Sequence, residues 1–233
     1  MTSGGRLRVW DPVVRLTHAL YGVLVVAAIV TSERDETGWL HLRFGVALLA
    51  VLVLRIVWGL FGSRYARFAQ FVRGPHAVLD AARAMLRGQP QRTLGHNPVG
   101  GVMVVLLLVM AGTALTGVLV SLGGEPVAAG FVGRLHAASA LVLPALILVH
   151  VAGVLFSSAQ EGQNLVLGMV TGWKHALAGV AVEPEPPRRA RLVGLVVAIA
   201  VSFSVALVTW QRLPEGAKAP RGRQSPAASS ASE

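Results

Sequence analysis

Long apolar stretches separated by short polar segments form the dominant pattern along the chain. Three of these stretches contain no Asp, Glu, Lys or Arg: 93–124, 135–160 and 192–211. Two others, 12–31 and 40–61, are similarly apolar apart from Arg15, Arg43 and Arg55. Each stretch reaches the ~20 residues that a helix needs to cross a bilayer. The pattern therefore predicts five transmembrane helices, over residues 12–31, 40–61, 97–121, 134–157 and 191–211.

The polar segments complete the predicted organisation. Asp11 fits the start of the first helix as a capping side chain, because a proline follows it at the first helical position. Residues 62–96 are too polar to span, so we expect an amphipathic connection along the membrane surface. Residues 176–190 are typical of a linker. Residues 212–233, rich in Pro, Ala and Ser, are typical of a disordered tail.

Composition agrees with a membrane protein and excludes several chemistries. The mean hydropathy is +0.62 and only 14% of residues are charged, which is too few for an ordinary soluble domain. The net charge of +10 comes from basic residues that flank the apolar stretches, so it favours membrane lipid over nucleic acid as a partner. The chain has no Cys, which excludes disulfides, thiolate ligands and covalently attached c-type haem.

Lys and Arg are distributed unevenly between the two sides of the predicted bundle. They concentrate in the N-terminal segment, in the 62–96 connection and after the fourth helix, whereas the two short opposite connections carry few. Basic loops of membrane proteins stay in the cytoplasm. We therefore expect a multi-pass membrane protein with a cytoplasmic N-terminus.

Four histidines lie at or inside the predicted spans: His18, His41, His136 and His150. The last two share one span and are 14 residues apart. That is nearly four helical turns, so both rings leave the same face about 21 Å apart along the axis. Alternating helix directions place His18 at the depth of His150 and His41 at the depth of His136. Histidine is a common axial ligand of haem iron, so the pattern predicts a four-helix bundle that holds two stacked, non-covalent haems.

Small residues lie three or four positions after each of these histidines, on the same helical face: Gly22, Gly45, Ala140 and Gly153. A flat macrocycle needs such a gap to approach a helix closely. A single histidine in a span often just hydrogen-bonds a neighbouring helix, and a zinc site would need clustered ligands. The other histidines fall outside the spans, and we expect them at the surface without a haem: His76, His96 and His175.

Arg55 is a further candidate because it lies 14 residues after His41. It should share the face of His41 but lie at the depth of His18 and His150. A guanidinium at that depth is suited to pair with anionic haem propionates. The alternative is an arginine whose flexible stem carries its charge to the membrane surface.

Several segments resemble the bacterial cytochrome b561 family, which includes the b-type subunits of nickel–iron hydrogenases and is related to formate dehydrogenase membrane subunits. They occur in the order of the family: VWDPVVRLTH (9–18), LHLRFG (40–45), RIVWGLFGSRYARF (55–68), GHNPVGG (95–101), LH…LVHVAGV (135–154) and NLVLGMVTGWK (164–174). The resemblance implies a four-helix dihaem domain over residues 1–175, in a protein of the bacterial inner membrane. Minimal members lack the fifth helix and the tail, which leaves open which partner docks.

The resemblance also implies the ligands and the activity. His18 and His150 would ligate an inner haem b, and His41 and His136 an outer one. The family moves electrons between a quinone pool and a partner redox protein, here a hydrogenase-like protein or a c-type cytochrome. The chain would then be an electron-transfer subunit of an oxidoreductase complex.

A quinone site is implied at the start of the third helix, where Asn97 and Gly100 match the quinone-binding positions of relatives. Asn97 also fits as a simple cap of that helix, ahead of Pro98. Two other functions remain open on the sequence. One is a membrane-anchor subunit whose haems only stabilise a larger complex, and the other is a small transporter with a histidine proton relay.

Overall fold

The computed structural model describes residues 5–32, 37–89, 93–96, 98–175, 182 and 184–213. Its helices are Pro12–Ser32 (α1), Gly38–Phe61 (α2), Pro75–Leu86 (α3), Pro98–Gly101 (α4), Met103–Ala129 (α5), Phe131–Glu161 (α6), Leu165–Thr171 (α7) and Arg188–Arg212 (α8). Five helices in this part of the chain are long and apolar enough to cross a membrane: α1, α2, α5 together with most of α4, α6 and α8. The prediction of an all-α membrane protein is therefore confirmed. Residues 214–233 of the predicted tail lie outside the described residues.

The third and fourth spans extend beyond their predicted ends. α5 continues past residue 121 to Ala129, and α6 starts at Phe131 and ends at Glu161. Within α5, Gly124 has φ 62° and ψ −158°, a conformation that favours glycine, so the backbone bends there and then resumes a helical path. Two glycines and a proline lie close together here, at positions 123, 124 and 126, and such residues are typical of breaks in a helix.

Antiparallel packing of α1, α2, α5 and α6 forms the bundle. α2 packs against α1, α5 and α8, whereas α6 packs along α5 and makes only sparse contact with α1 and α2. A buried apolar cluster joins these helices: Val25, Val46, Leu48, Leu49, Leu52, Leu107, Met110, Ala114, Val118 and Leu143. The bundle has an N-terminal end, where α1 begins and α2 and α6 end. It has an opposite end, where α1 ends and α2 and α6 begin.

Short elements cover the N-terminal end. Arg6–Arg8 (β1) pairs antiparallel with Trp173–His175 (β2). The pattern of apolar and polar residues does not predict these strands, because three residues are too few to show alternation. Within β2, Lys174 forms a buried ion pair with Glu161 at the end of α6, with 3.2 Å between Nζ and Oε2. The ribbon is thereby tied to the bundle.

The connection between α2 and α4 contains α3, whose Ala81 and Met85 are buried while much of its remaining surface is exposed. This is the amphipathic arrangement that the polar 62–96 segment predicts.

The last span, α8, packs along the outside of α2. At Gly194 the two helices approach so closely that an added Cβ would lie 2.7 Å from the Cβ of Phe61. Towards the opposite end, the guanidinium of Arg43 lies over the rings of Trp39 and Trp210, 4.7 and 5.3 Å from their centroids. Such cation–π contacts are favourable by about 0.5–2 kcal/mol. α8 is thus fixed to α2 near both of its ends.

Asp11 connects the start of α1 to the end of α2. Its Oδ1 accepts a hydrogen bond from the backbone N–H of Val14 at 2.9 Å, as a capping side chain does. Its Oδ2 accepts hydrogen bonds from Trp58 Nε1, at 3.1 Å, and from the Ser63 hydroxyl. One carboxylate therefore satisfies a free N–H of α1 and holds the last turn of α2.

We expect Asp11→Ala to lower the free energy of unfolding by about 2–4 kcal/mol. The substitution removes a helix cap worth about 1 kcal/mol and two hydrogen bonds to a charged group. The midpoint of thermal unfolding in lipid nanodiscs measures the effect. Asp80→Ala, which changes an exposed carboxylate on α3, is the control and should leave the midpoint unchanged. Equal midpoints for wild type and Asp11→Ala would contradict the assignment.

Candidate functional site

The four span histidines converge in two pairs. His18 of α1 faces His150 of α6, with 6.1 Å between the ring centroids. His41 of α2 faces His136 of α6, with 6.2 Å. α6 supplies one ring to each pair, because its two histidines leave the same face of the helix. The structure thus brings together the residues that the depth argument pairs.

The separation within each pair fits an iron held between two imidazoles. A metal about 2 Å from each ligating nitrogen and in line with both rings separates the centroids by roughly 6 Å. Because α6 packs only sparsely against α1 and α2, the rings meet across a part of the bundle where the helices stand apart. No cluster of three or more His, Cys, Asp or Glu occurs within the described ranges. Two protein ligands suit haem iron, whose other four ligands come from the macrocycle.

Hydrogen bonds to helix backbone fix both rings of the His41–His136 pair. Nδ1 of His41 lies 2.8 Å from the carbonyl oxygen of Ala28, and Nδ1 of His136 lies 2.9 Å from that of Thr113. A carbonyl only accepts, so each Nδ1 carries the proton. The Nε2 lone pair of each ring is then available to a metal, and donation to the carbonyl makes that lone pair more basic.

The His18–His150 pair lacks this restraint on His150. Its Nδ1 is buried and has no hydrogen-bond partner among the described residues. The ring of His18 lies near Tyr21, with 6.4 Å between the centroids. The two pairs therefore have the same ligand chemistry but different surroundings.

Arg55 lies at the depth predicted for it, within electrostatic range of His18. Its side chain is buried, at 7% exposure, and its guanidinium lies 5.2 Å from the centroid of the Phe68 ring. Nη1 is buried without an acceptor in the described part of the chain. A buried donor left unpaired is costly, and more so when it is charged. The surroundings of His18 are therefore suited to an anionic group.

Glycines leave space beside three of the four histidines. A Cβ added at Gly22, Gly45 or Gly153 would meet no packing atom within 4 Å. Gly117 of α5 differs, because a Cβ there would lie 2.8 Å from Cε1 of His136. Gly117 thus lets α5 pack directly against this ring. Sequence spacing does not single it out, because it lies on a different helix from the histidine that it contacts.

The start of the third span packs closely against the segment that follows α2. A Cβ at Gly101 would overlap the carbonyl oxygen of Phe71, and one at Gly95 would lie 3.0 Å from Cδ1 of Tyr65. Gly100 lies in α4, at the same end of the bundle as the His18–His150 pair. Asn97 lies outside the described residues, and its predicted role stays a prediction.

His96 differs from the surface position expected for it. Its ring packs between those of Trp10 and Phe71, with centroids 4.7 and 4.4 Å away. Burial, and then the positive charges of Arg55 and Lys174, lower the pKa of His96 to about 3. The ring is therefore neutral at physiological pH. The sequence does not reveal this position, because the contacting rings come from segments distant in the chain.

One family of known proteins matches the chain. The family model described as prokaryotic cytochrome b561 matches residues 9–172. This range contains α1 to α7 and all four histidines of the two pairs. No curated protein and no solved structure matches the chain.

We expect Gly117→Ala to disturb the His41–His136 site selectively, because the new methyl group would displace the His136 ring. One of two visible redox transitions should then be lost or shifted while the other is retained. Spectroscopic redox titration of the purified protein measures this. Leu115→Ala, on an exposed position of the same helix, is the matched control and should leave both transitions in place. Loss of both transitions at a normal protein level would argue against a local effect.

Proposed function

The chain belongs to the prokaryotic cytochrome b561 family, and we propose that it is a dihaem cytochrome carrying electrons across the membrane between quinone and a partner redox protein. Family membership makes it a b-type haem protein of membrane electron transfer. The observation that supports the finer proposal is the presence of two facing histidine pairs, one towards each end of the bundle.

Each pair would hold one haem b, His18 with His150 and His41 with His136. When bound, each haem supplies an iron that takes up and releases one electron. With two imidazoles as its protein ligands, the iron would bind neither water nor a substrate, so electron transfer would be its chemistry. The buried apolar cluster that contains Leu52 also contains Leu143, which lies between His136 and His150 along α6, and in this proposal it would help to keep water from the region between the pairs.

The two ends of the bundle have different roles in this proposal. Quinone would bind at the N-terminal end, where Gly100 and the His18–His150 pair lie. The resemblance of the sequence to relatives supports Asn97 and Gly100 as the quinone positions. The partner redox protein would exchange electrons at the opposite end, near the His41–His136 pair. The basic residues concentrated at the N-terminal end support a cytoplasmic location for it in the inner membrane.

Haem content and quinone reactivity test the function together. Purified protein should contain two acid-acetone-extractable haems b per chain, with low-spin spectra, and a short-chain quinol should reduce them in membranes. His18→Ala and His150→Ala should abolish one redox transition, and His41→Ala and His136→Ala the other, because the residues of each pair act as a unit.

Other results would favour other functions. Haems that neither quinol nor quinone affects would indicate a membrane-anchor subunit. A protein that purifies without visible colour would indicate a transporter with a histidine proton relay.

Arg55 supplies the second quantitative test. In the proposal its guanidinium pairs with a propionate near His18, and its positive charge stabilises the reduced haem. Arg55→Gln should therefore lower the potential of that haem by roughly 50–100 mV, which corresponds to about 1–2 kcal/mol for one electron. Arg83→Gln, on the exposed face of α3, is the control. A change in potential confined to the other haem would contradict the proposed pairing of Arg55 with the haem near His18.

A further inference from the structure

His96 carries a polar atom to which the proposed haem sites give no role. Its Nδ1 is buried and has no hydrogen-bond partner within the described residues. An unpaired buried group of this kind costs about 1–3 kcal/mol. A phenylalanine would fill the space between Trp10 and Phe71 without that cost, so packing alone does not explain a histidine here.

The surroundings of His96 connect it to the His18–His150 pair. The charged and titratable groups within electrostatic range come from four elements: Arg55 of α2, Lys174 of β2, His150 of α6 and His18 of α1. His96 also directly precedes Asn97, the residue placed at the quinone by the proposed function. It is therefore close to one proposed haem site in space and to the proposed quinone site along the chain.

The neutral state of His96 favours hydrogen bonding over proton storage. A residue that takes up protons works best with a pKa near the operating pH, and the pKa of His96 is about 3. A neutral imidazole has one N–H donor and one lone-pair acceptor. The donor suits the carbonyl oxygen of a quinone, and the acceptor suits the hydroxyl group of a quinol. One ring can therefore bind both redox forms without gaining charge.

We infer that His96 is a quinone-binding residue that hydrogen-bonds a head-group oxygen at the N-terminal end of the bundle, beside the His18–His150 pair. This inference rests on the proposed function. Trp10 and Phe71 fix the orientation of the ring. Lys174 holds the segment that carries it, because its Nζ lies 3.5 Å from the carbonyl oxygen of Thr93.

Quinone affinity tests the role directly. The haem-loaded protein in nanodiscs is titrated calorimetrically with a short-chain ubiquinone and, separately, with menadione. His96→Phe keeps an aromatic ring between its neighbours and removes both nitrogens, so the dissociation constant should rise about tenfold or more. His96→Gln keeps a donor and an acceptor and should bind within about threefold of wild type. His76→Phe, on the exposed surface of α3, is the control and should not change the affinity.

Each outcome decides the question. Unchanged affinity in His96→Phe, with only a lower unfolding midpoint, would show that His96 is a packing residue. Equal weakening in His96→Phe and His96→Gln would overturn the hydrogen-bonding role, because glutamine keeps a donor and an acceptor. A wild-type protein that binds neither probe would overturn the quinone part of the proposed function itself. Wild-type binding with unchanged affinity in His96→Phe overturns this inference alone.

A second measurement observes His96 in the wild-type protein. In wild-type protein labelled with ¹⁵N-histidine, the short-chain ubiquinone should shift the ring nitrogen signals of His96, which the His96→Gln spectrum identifies. The signals of exposed His76 and His175 should stay in place. Binding that is visible by calorimetry and leaves the His96 signals unmoved would contradict the assignment.

Discussion

The interior of a membrane offers no water to a polar ring, so each imidazole in a span must find its partner in the protein or in a ligand. This constraint decides the arrangement of the bundle. α6 makes only sparse contact with α1 and α2. Its two histidines face His18 and His41 across the space between these helices. Glycines leave space beside three of the four histidines, and the charge of Arg55 lies within electrostatic range of His18.

The spanning helices and the histidine pairs can be predicted from the sequence because the patterns that indicate them are periodic. Uncharged stretches of span length identify the helices, and a 14-residue interval puts His136 and His150 on one face. Alternating helix directions then select the counterpart of each ring. Asp11 is likewise recognisable as a cap, since helix starts depend on residues next to each other in the chain.

Other features depend on contacts between segments that are distant in the chain. Such contacts produce no periodic pattern in the sequence. Nothing in the sequence distinguishes Gly117 from the many other glycines, yet it contacts His136 from another helix. The environment of His96 is built by Trp10 and Phe71, which belong to separate segments. The packing of α8 on α2 also cannot be read from an apolar stretch, because lipid and protein favour the same side chains.

The backbone hydrogen bonds of His41 and His136 have a consequence for how the protein matures. Their rings acquire a fixed orientation as the helices fold, so the loss of side-chain freedom precedes cofactor binding. His150 has no such hydrogen bond within the described residues, so its ring is less restrained before a ligand binds. Two sites with identical ligands thus differ in preorganisation. If each pair holds a haem as proposed, the preformed site would be the starting point for cofactor insertion, and an apoprotein loaded at that site alone would be the assembly intermediate.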